Sequence, residues 1–463
     1  MKRITTGDLM HVYGGFAQHV DYSVRLTVRM TEPVTEAVLA RALARTQKRY
    51  PYFQPRLRQD ECTCYYEENS LPVVLVHTDG RITLNTEDVN DHLWAVCWHE
   101  DYIHLDVFHG MTDGTGMYHL LSTLLYYYCE EKYGLTDHRG IRVLEDLPAA
   151  DLNAADRTAA DRSTADLNIA DRNTTDWKAT DRSSAVQNIA DLIPPGETDD
   201  PQDHLPEIDL SQIGQAQWKE AFTPETDGHL TPSAPTLWDL AIPESAFLRF
   251  TSANDASPGT MVSLLLARAI DSMYPDAGKD IISAYVVNAR PMLKAPQTCH
   301  NCLSMVLFDY EDRIRKMPLS RQCTVYRGKV FIQSDEDAVR QTMAVSASAI
   351  RKTAEAAPSL SAKKEQFGKM FAAGEGYVSF LVSYVGKWSH PALGDYIREF
   401  WTHPPNTFSL MAEIAAVNGT IFISIQQRFK EDIIREAFLK QLEEHQIPCK
   451  VLRVMESDVA HLI

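Results

Sequence analysis

The sequence predicts an α/β sandwich built twice along one chain, and three observations predict it. Residues 22–30, YSVRLTVRM, alternate: Tyr22, Val24, Leu26, Val28 and Met30 face one way, while Ser23, Arg25, Thr27 and Arg29 face the other. That is the period of a half-buried strand. Residues 93–98 and 102–109 read as a hairpin running directly into a helix. The second half repeats the mixture, with a hairpin at AEIAAV, Asn418-Gly419, TIFISI, the strongest short turn signal in the chain.

The elements follow in order. Thr31 and Pro33 mark a helix start, and Val34, Val38, Leu39, Ala42 and Leu43 give that helix an apolar stripe up to about Arg49. YPYFQPRL continues as loop and extended chain. In the hairpin, Ile103, Leu105, Val107 and His109 share one face, and Tyr102, His104, Asp106 and Phe108 the other. Residues 110–114 turn. The helix from 115 to about 132 buries Met117, Leu120, Leu121, Leu124 and Leu125.

Residues 146–193 differ from the rest. Aspartate recurs every fifth residue from Asp146 to Asp181 and again at Asp191. The register is similar to the pentapeptide-repeat pattern, which folds as a four-sided β-helix. The inward position would then hold Arg157, Arg162, Arg172 and Arg182, and unpartnered buried arginines cost several kcal/mol each. A period of five also spirals around a helix. A solvated insertion, disordered or loosely helical, is expected over the β-helix. Residues 194–235, rich in Pro, Asp, Glu and Thr, extend it as a linker. The expected division is a first lobe at 1–145, a flexible insertion and linker at 146–235, and a second lobe at 236–463.

In the second half, Ser257 and Pro258 open a helix by the N-cap and first-turn proline rule. IISAYVVNARP is a strand ending in Arg290, and YVSFLVSYVG a buried strand. EDIIREAFLKQL is the last amphipathic helix and CKVLRVM a final strand.

A chain of 463 residues with 44% hydrophobic content can bury a sizeable core. The net charge of −18 and the lack of a Lys/Arg cluster exclude a nucleic-acid footprint. Lys2 and Arg3 are followed by no apolar run, so no signal peptide is expected, and no stretch has the length of a membrane helix. The eight cysteines are scattered, which fits reduced thiols in a cytoplasmic protein. Cys62 and Cys64, and Cys299 and Cys302 around His300, have no second pair at zinc spacing; structural thiols and no metal are expected.

The chemistry centres on His109. A neutral imidazole at the end of a strand, between two lobes, can take a proton from a bound hydroxyl or amine, and its ordinary pKa lies near operating pH. Asp113 lies four residues on. Gly114 is expected to supply backbone angles that a side chain would forbid, so that the helix can begin and present its amides. The bare H-x-x-x-D-G spacing fits a second reading equally: Asp113 caps the helix and His109 is a satisfied core group.

With these residues in view, the chain resembles the CoA-dependent acyltransferase superfamily. That group holds plant-type BAHD acyltransferases, alcohol O-acetyltransferases, polyketide-associated acyltransferases, chloramphenicol acetyltransferase and condensation domains of nonribosomal peptide synthetases. The mark is HHxxxDG, or HxxxD in the plant branch. Here it reads Phe108, His109, Gly110, Met111, Thr112, Asp113, Gly114, with the first histidine replaced and the second kept. VNARPMLKAPQTCHN is similar to the family's strand ending in Arg-Pro and its following Gly-Asn loop, which aligns Arg290 and Asn301 and puts His300 where the family has glycine. SYVGKW is similar to the family's Ser-Asn-x-Gly, with Ser383 and Gly386 kept and Tyr384 in place of asparagine. KRYPYFQPRL is similar to the family's N-terminal arginine-containing segment.

The resemblance implies two chloramphenicol-acetyltransferase-like lobes, each a mostly antiparallel sheet with helices, and a tunnel between them. It implies His109 as general base, and Asp113 turned away from the substrates to pair with Arg290 and brace the loop. Asn301, Ser383, Tyr384 and Gly386 would lie at the substrates, Tyr384 as an oxyanion donor by position only. There is no GxSxG and no cysteine in a nucleophile signature, which agrees with direct transfer through a single base. No Gly-rich phosphate loop is present.

The expected function is acyl transfer from an acyl-CoA, as co-substrate and with no bound cofactor, to a small-molecule alcohol or amine, in a monomer. Two alternatives stand beside it. One is a stand-alone condensation-type enzyme fed by carrier-protein thioesters. The other is a catalytically silent binding protein on the same fold, kept open by Phe108, His300 and Tyr384.

Overall fold

In the computed structural model, which describes residues 2–15, 22–147, 196–211, 219–405 and 407–456, the alternating segment is a strand. In chain order the first part comprises β1 (Lys2–Arg3), α1 (Thr6–Met10), β2 (Ser23–Met30), α2 (Glu36–Arg49), β3 (Arg56–Gln59), β4 (Cys64–Glu67), β5 (Leu75–His77), β6 (Trp94–His99), β7 (Tyr102–Phe108) and α3 (Gly114–Tyr133). The helix expected from Thr31 starts at Glu36, with Thr35 as its N-cap. The reason is tertiary: the amides of Met30 and Val34 bond the carbonyls of Asp101 and Glu100 in the hairpin turn, and Thr31 bonds Tyr396, so the chain stays extended there.

The second part comprises β8 (Pro232–Pro243), α4 (Pro258–Met273), β9 (Ile281–Asn288), β10 (Leu303–Tyr310), α5 (Leu319–Gln333), α6 (Glu336–Ala356), α7 (Leu360–Glu375), β11 (Phe380–Lys387), β12 (Ile397–His403), β13 (Leu410–Val417), β14 (Thr420–Phe429), α8 (Ile433–Glu444) and β15 (Lys450–Glu456), with short helices between. Asn418 and Gly419 both have positive φ, 49° and 76°, which is the turn that matches the twist of β13 and β14.

Two principal sheets result. The first lobe's runs β12-β2-β7-β6-β5 and the second's β10-β9-β11-β13-β14-β8-β15. A small sheet, β1-β4-β3, flanks the first. The division at residue 236 is crossed in space: β12, from the second half, pairs antiparallel with β2 through Trp401↔Thr27 and His403↔Arg25. The core of the first lobe gathers Leu26, Val28, Leu105 and Val107 against α2 and α3; that of the second gathers Ile414, Ile423 and Phe380 against α4 and α8. Ala415, Val417 and Phe422 of the second sheet belong to the first lobe's core, and Trp401 meets Phe422 at 4.6 Å. The lobes are therefore sewn together by apolar contact as well as by a strand.

Part of the expected linker is built into the fold. Glu197 and Asp200 are buried. The Asp200 and Asp203 carboxylates accept from the amides of Gly7 and Thr6 at 2.8 and 2.9 Å, and Glu197 meets the buried Arg49 at 2.8 Å. A polar composition reads as linker, but here each acid has a buried donor waiting for it. The rest of the aspartate repeat, beyond Leu147, lies outside the described residues. Among the described residues no helix is long and apolar enough to cross a membrane.

Candidate active site

β7 delivers His109 to the junction of the lobes. The His109 amide still follows the sheet, bonding the Tyr22 carbonyl at 2.8 Å, and then the chain turns. The half-buried imidazole is fixed by its own loop: Nδ1 lies 2.9 Å from the Thr112 carbonyl. A carbonyl only accepts, so Nδ1 carries the hydrogen and donates it, and Nε2 keeps its lone pair. Burial holds the imidazole below its usual pKa, against several hydrogen bonds and the Asp113 charge that favour protonation. It is thus neutral and able to accept a proton at pH 7.

Asp113 does not reach the imidazole. Its Oδ2 accepts from Arg290 Nη1 at 2.7 Å and from the Cys302 amide at 2.9 Å; its Oδ1 accepts from Arg290 Nη2 at 2.9 Å and from the amides of Thr115 and Gly116 at 3.0 and 3.2 Å. One fully buried carboxylate therefore caps α3, holds the loop after β9 and binds a guanidinium. Arg290 also donates to the carbonyls of Thr298 and His300, at 3.1 and 2.9 Å, and to the Asn288 side chain at 3.4 Å. The capping and ion-pair readings of Asp113 are both true at once. A consequence is that the Thr115 and Gly116 amides are occupied and not free donors for a substrate.

Asn301 stands on the same loop and donates from Nδ2 to the His109 carbonyl at 2.8 Å. It touches the base's backbone and so braces the loop from the second lobe. His300, where the resemblance puts glycine, has no positive φ, so its backbone does not demand glycine. Its ring packs edge-on to Tyr52 at 4.8 Å, with Nδ1 3.5 Å from Asp8 and Nε2 3.1 Å from the Thr198 carbonyl. Burial opposes its charge, yet Asp8 and Asp200 outweigh that and raise it to about 9.

Two expectations are corrected. Gly114 is not in the left-handed region, and a Cβ there would meet only Val385 at an ordinary 3.8 Å. The glycine that space requires is Gly116, whose Cβ would fall 2.0 Å from Thr112 Oγ1 and 3.0 Å from the Cys299 carbonyl. Gly116→Ala is expected to cost about 1–3 kcal/mol by overpacking, and to lower turnover because Thr112 carries the anchor of His109. A denaturation midpoint unchanged from the parent's would refute this crowding. Tyr384 lies among the partly buried side chains on the second lobe's core, on the face opposite Ser383, and offers no hydroxyl to the site. Gly386, by contrast, has φ +110° beside the bulge that breaks β11, where only glycine is at ease.

Sequence reasoning missed Thr112, the Cys302 amide and a second imidazole. His11 stacks on His109 with centroids 5.7 Å apart and planes 7° from parallel, and its Nδ1 lies 2.8 Å from the Tyr22 hydroxyl. Phe108, in the place of the family's first histidine, is fully buried apolar core. Nothing in the string HVYGG announces that His11 returns to this point. Cys299 and Cys302 are free and buried, and among the described residues no group of three or more His, Cys, Asp or Glu could hold a metal ion.

Two lobes joined by a crossed strand, with the loop after β7 pinned to the loop after β9, make a fold that this chain shares with solved structures of other proteins. The solved structures that share it include F. sporotrichioides TRI101 complexed with coenzyme A and T-2, at 11% identity and TM-score 0.58 over 95% of this chain and 98% of that one. The first condensation domain of the CDA synthetase matches at 14% identity and TM-score 0.57 over 100% of this chain and 99% of that one. Polyketide synthase associated protein 5 from Mycobacterium tuberculosis matches at 12% identity and TM-score 0.54 over 95% and 97%. No protein-family model and no curated protein sequence matches the chain.

Proposed function

We propose that this protein is an acyltransferase that moves an acyl group from a CoA thioester to an alcohol or amine, with His109 as general base and no covalent acyl-enzyme. The observation that carries this reading is the imidazole itself: Nδ1–H is committed to the Thr112 carbonyl and Nε2 is left to accept. The acceptor's O–H or N–H proton passes to Nε2 as its oxygen or nitrogen attacks the thioester carbonyl. The tetrahedral intermediate collapses, the C–S bond breaks, and the imidazolium returns the proton to the departing thiolate. Asp113, Arg290 and Asn301 touch no substrate in this scheme; they hold the base in place. Ser383, on the sheet face turned to the first lobe, and Gly386, at the bulge, are the second lobe's contribution to the substrate side. The coenzyme A in the TRI101 structure supports this donor.

The second reading, a condensation-type enzyme taking a carrier-protein thioester, draws support from the full-length match to the CDA condensation domain. One assay separates them. Purified protein with acetyl-CoA and a panel of alcohols and amines should release free CoA in an acceptor-dependent way. Release only from acetyl groups on a phosphopantetheinylated carrier would favour the second reading. No release from either donor would sink both.

A further inference from the structure

The sheet of the second lobe has one face turned toward the first lobe. On β13, Leu410, Ala412, Ile414 and Ala416 belong to the second lobe's core, whereas Ala415 and Val417 belong to the first lobe's. By the two-residue alternation of a strand, Met411 and Glu413 share the face of Ala415. The register extends that level into a polar row across five strands: Ser383 on β11, Glu413, Ser424 on β14, Asp239 on β8 and Arg453 on β15.

The two acids of this row are treated differently. Asp239 is compensated: it accepts from Ser424 Oγ at 2.6 Å and meets Arg453 at 2.9 Å and His403 at 3.3 Å. Glu413 stands two strands away, about 10 Å at ordinary strand spacing. It is only 7% exposed, and among the described residues no Lys, Arg or His pairs with it. Burial pushes its carboxyl up to about 8, with the Ser383 hydroxyl acting against that. Its neighbours along the strands are Leu381 and Met411, clustered with Ala284 and Phe408. Val385, two residues beyond Ser383, lies 3.8 Å from the position of a Cβ on Gly114. β11, the strand that carries Ser383, therefore passes beside the start of α3.

A buried acid without a cation is costly, and a bound ligand can bring the cation. We infer that Glu413, with the Ser383 hydroxyl, is a subsite for a protonated amine on the acceptor, at a nitrogen other than the attacking atom. The class is an amino alcohol or diamine with an apolar body. The body lies on Leu381 and Met411, and the ammonium reaches Glu413. Coenzyme A brings phosphates, which are anions, so the cation is the acceptor's. This inference rests on the acyl-transfer reading and narrows its substrate.

The test compares aminohexanol with hexanediol, equal in length and differing in one charged end, using the full chain and acetyl-CoA. The expected result is a preference for aminohexanol of about tenfold or more in kcat/KM, the size of one charged hydrogen bond. Glu413→Gln should reduce that ratio to near one, and Ser383→Ala should reduce it by a smaller factor. Equal use of both acceptors by the parent, or an unchanged ratio in Glu413→Gln, overturns the inference while leaving acyl transfer standing. If neither acceptor is turned over, it is the transfer reading that has failed, and calorimetric titration of aminohexanol still decides the subsite. There, binding at least about tenfold weaker in Glu413→Gln supports it, and equal or absent binding overturns it. Thermal melting verifies that Glu413→Gln is folded; should it not be, the Ser383→Ala ratio and titration decide alone.

Discussion

His109→Gln loses about 10²–10⁴-fold in kcat, the ordinary worth of a positioned general base, with a smaller change in KM. The substitution keeps a side-chain amide near the Thr112 carbonyl but removes the lone pair at Nε2 that accepts the proton. The pH profile carries the same information. Burial holds the imidazole below its ordinary value of 6.5. The neutral form is the base, so activity is present above the folded-state pKa and is lost as pH falls through it. The acidic limb of kcat/KM therefore lies below pH 6.5 in the parent, and that limb disappears in the variant. Initial rates of free-thiol release across pH check both. Turnover within threefold of the parent, or an acidic limb that survives the substitution, would remove His109 from the chemistry.

Asp113→Ala is expected to cost about 3–5 kcal/mol, because it strands a buried guanidinium. Arg290 is 3% exposed, and among the described residues its other side-chain partners are two carbonyls and the Asn288 side chain, not a second carboxylate. The loss also uncaps α3 and frees the Cys302 amide. Replacing both partners, Asp113→Leu with Arg290→Met, should be less harmful than the two single effects added together, with a coupling of about 1–3 kcal/mol. Denaturant unfolding of the four proteins measures it. Strict additivity would mean that the pair does not bind the lobes together. Kinetics supply the second readout. Neither residue touches a substrate, so the damage falls on kcat, through a base displaced on a loosened loop; a displacement of about 1 Å can cost about a hundredfold.

These two results depend on parts of the molecule that differ in how legible they are. The strand at Ser23–Met30, the hairpin into α3 and the Asn418-Gly419 turn follow from local period and turn chemistry, and each was readable from a dozen residues. The helices α5 to α7 were not readable in the same way. α5 buries only Gln322, Cys323 and Tyr326, so its pattern carries little signal. β12 was invisible for a different reason: its strand neighbour β2 lies some 370 residues earlier, and nothing local in IREFWTH reports that. Gly114 and Gly116 illustrate the same limit inside the motif. Both stand in DGTG, but which of them has no room for a side chain depends on Thr112 and Cys299, which only the folded chain brings near.

What the sequence by itself determined is local: which segments become strand or helix, and that a histidine ends a strand with an aspartate one helical step beyond. Those follow from side-chain period and backbone preference, which act over a few residues. The tertiary structure decided the rest. It turned Asp113 to Arg290, set His11 against His109, drew Glu197 and Asp200 into the fold and left Glu413 facing the other lobe with no cation partner among the described residues. Each of these is a pairing between groups far apart in the chain, and the energy of burying a charge or a ring depends on what surrounds it, which no short stretch of sequence specifies.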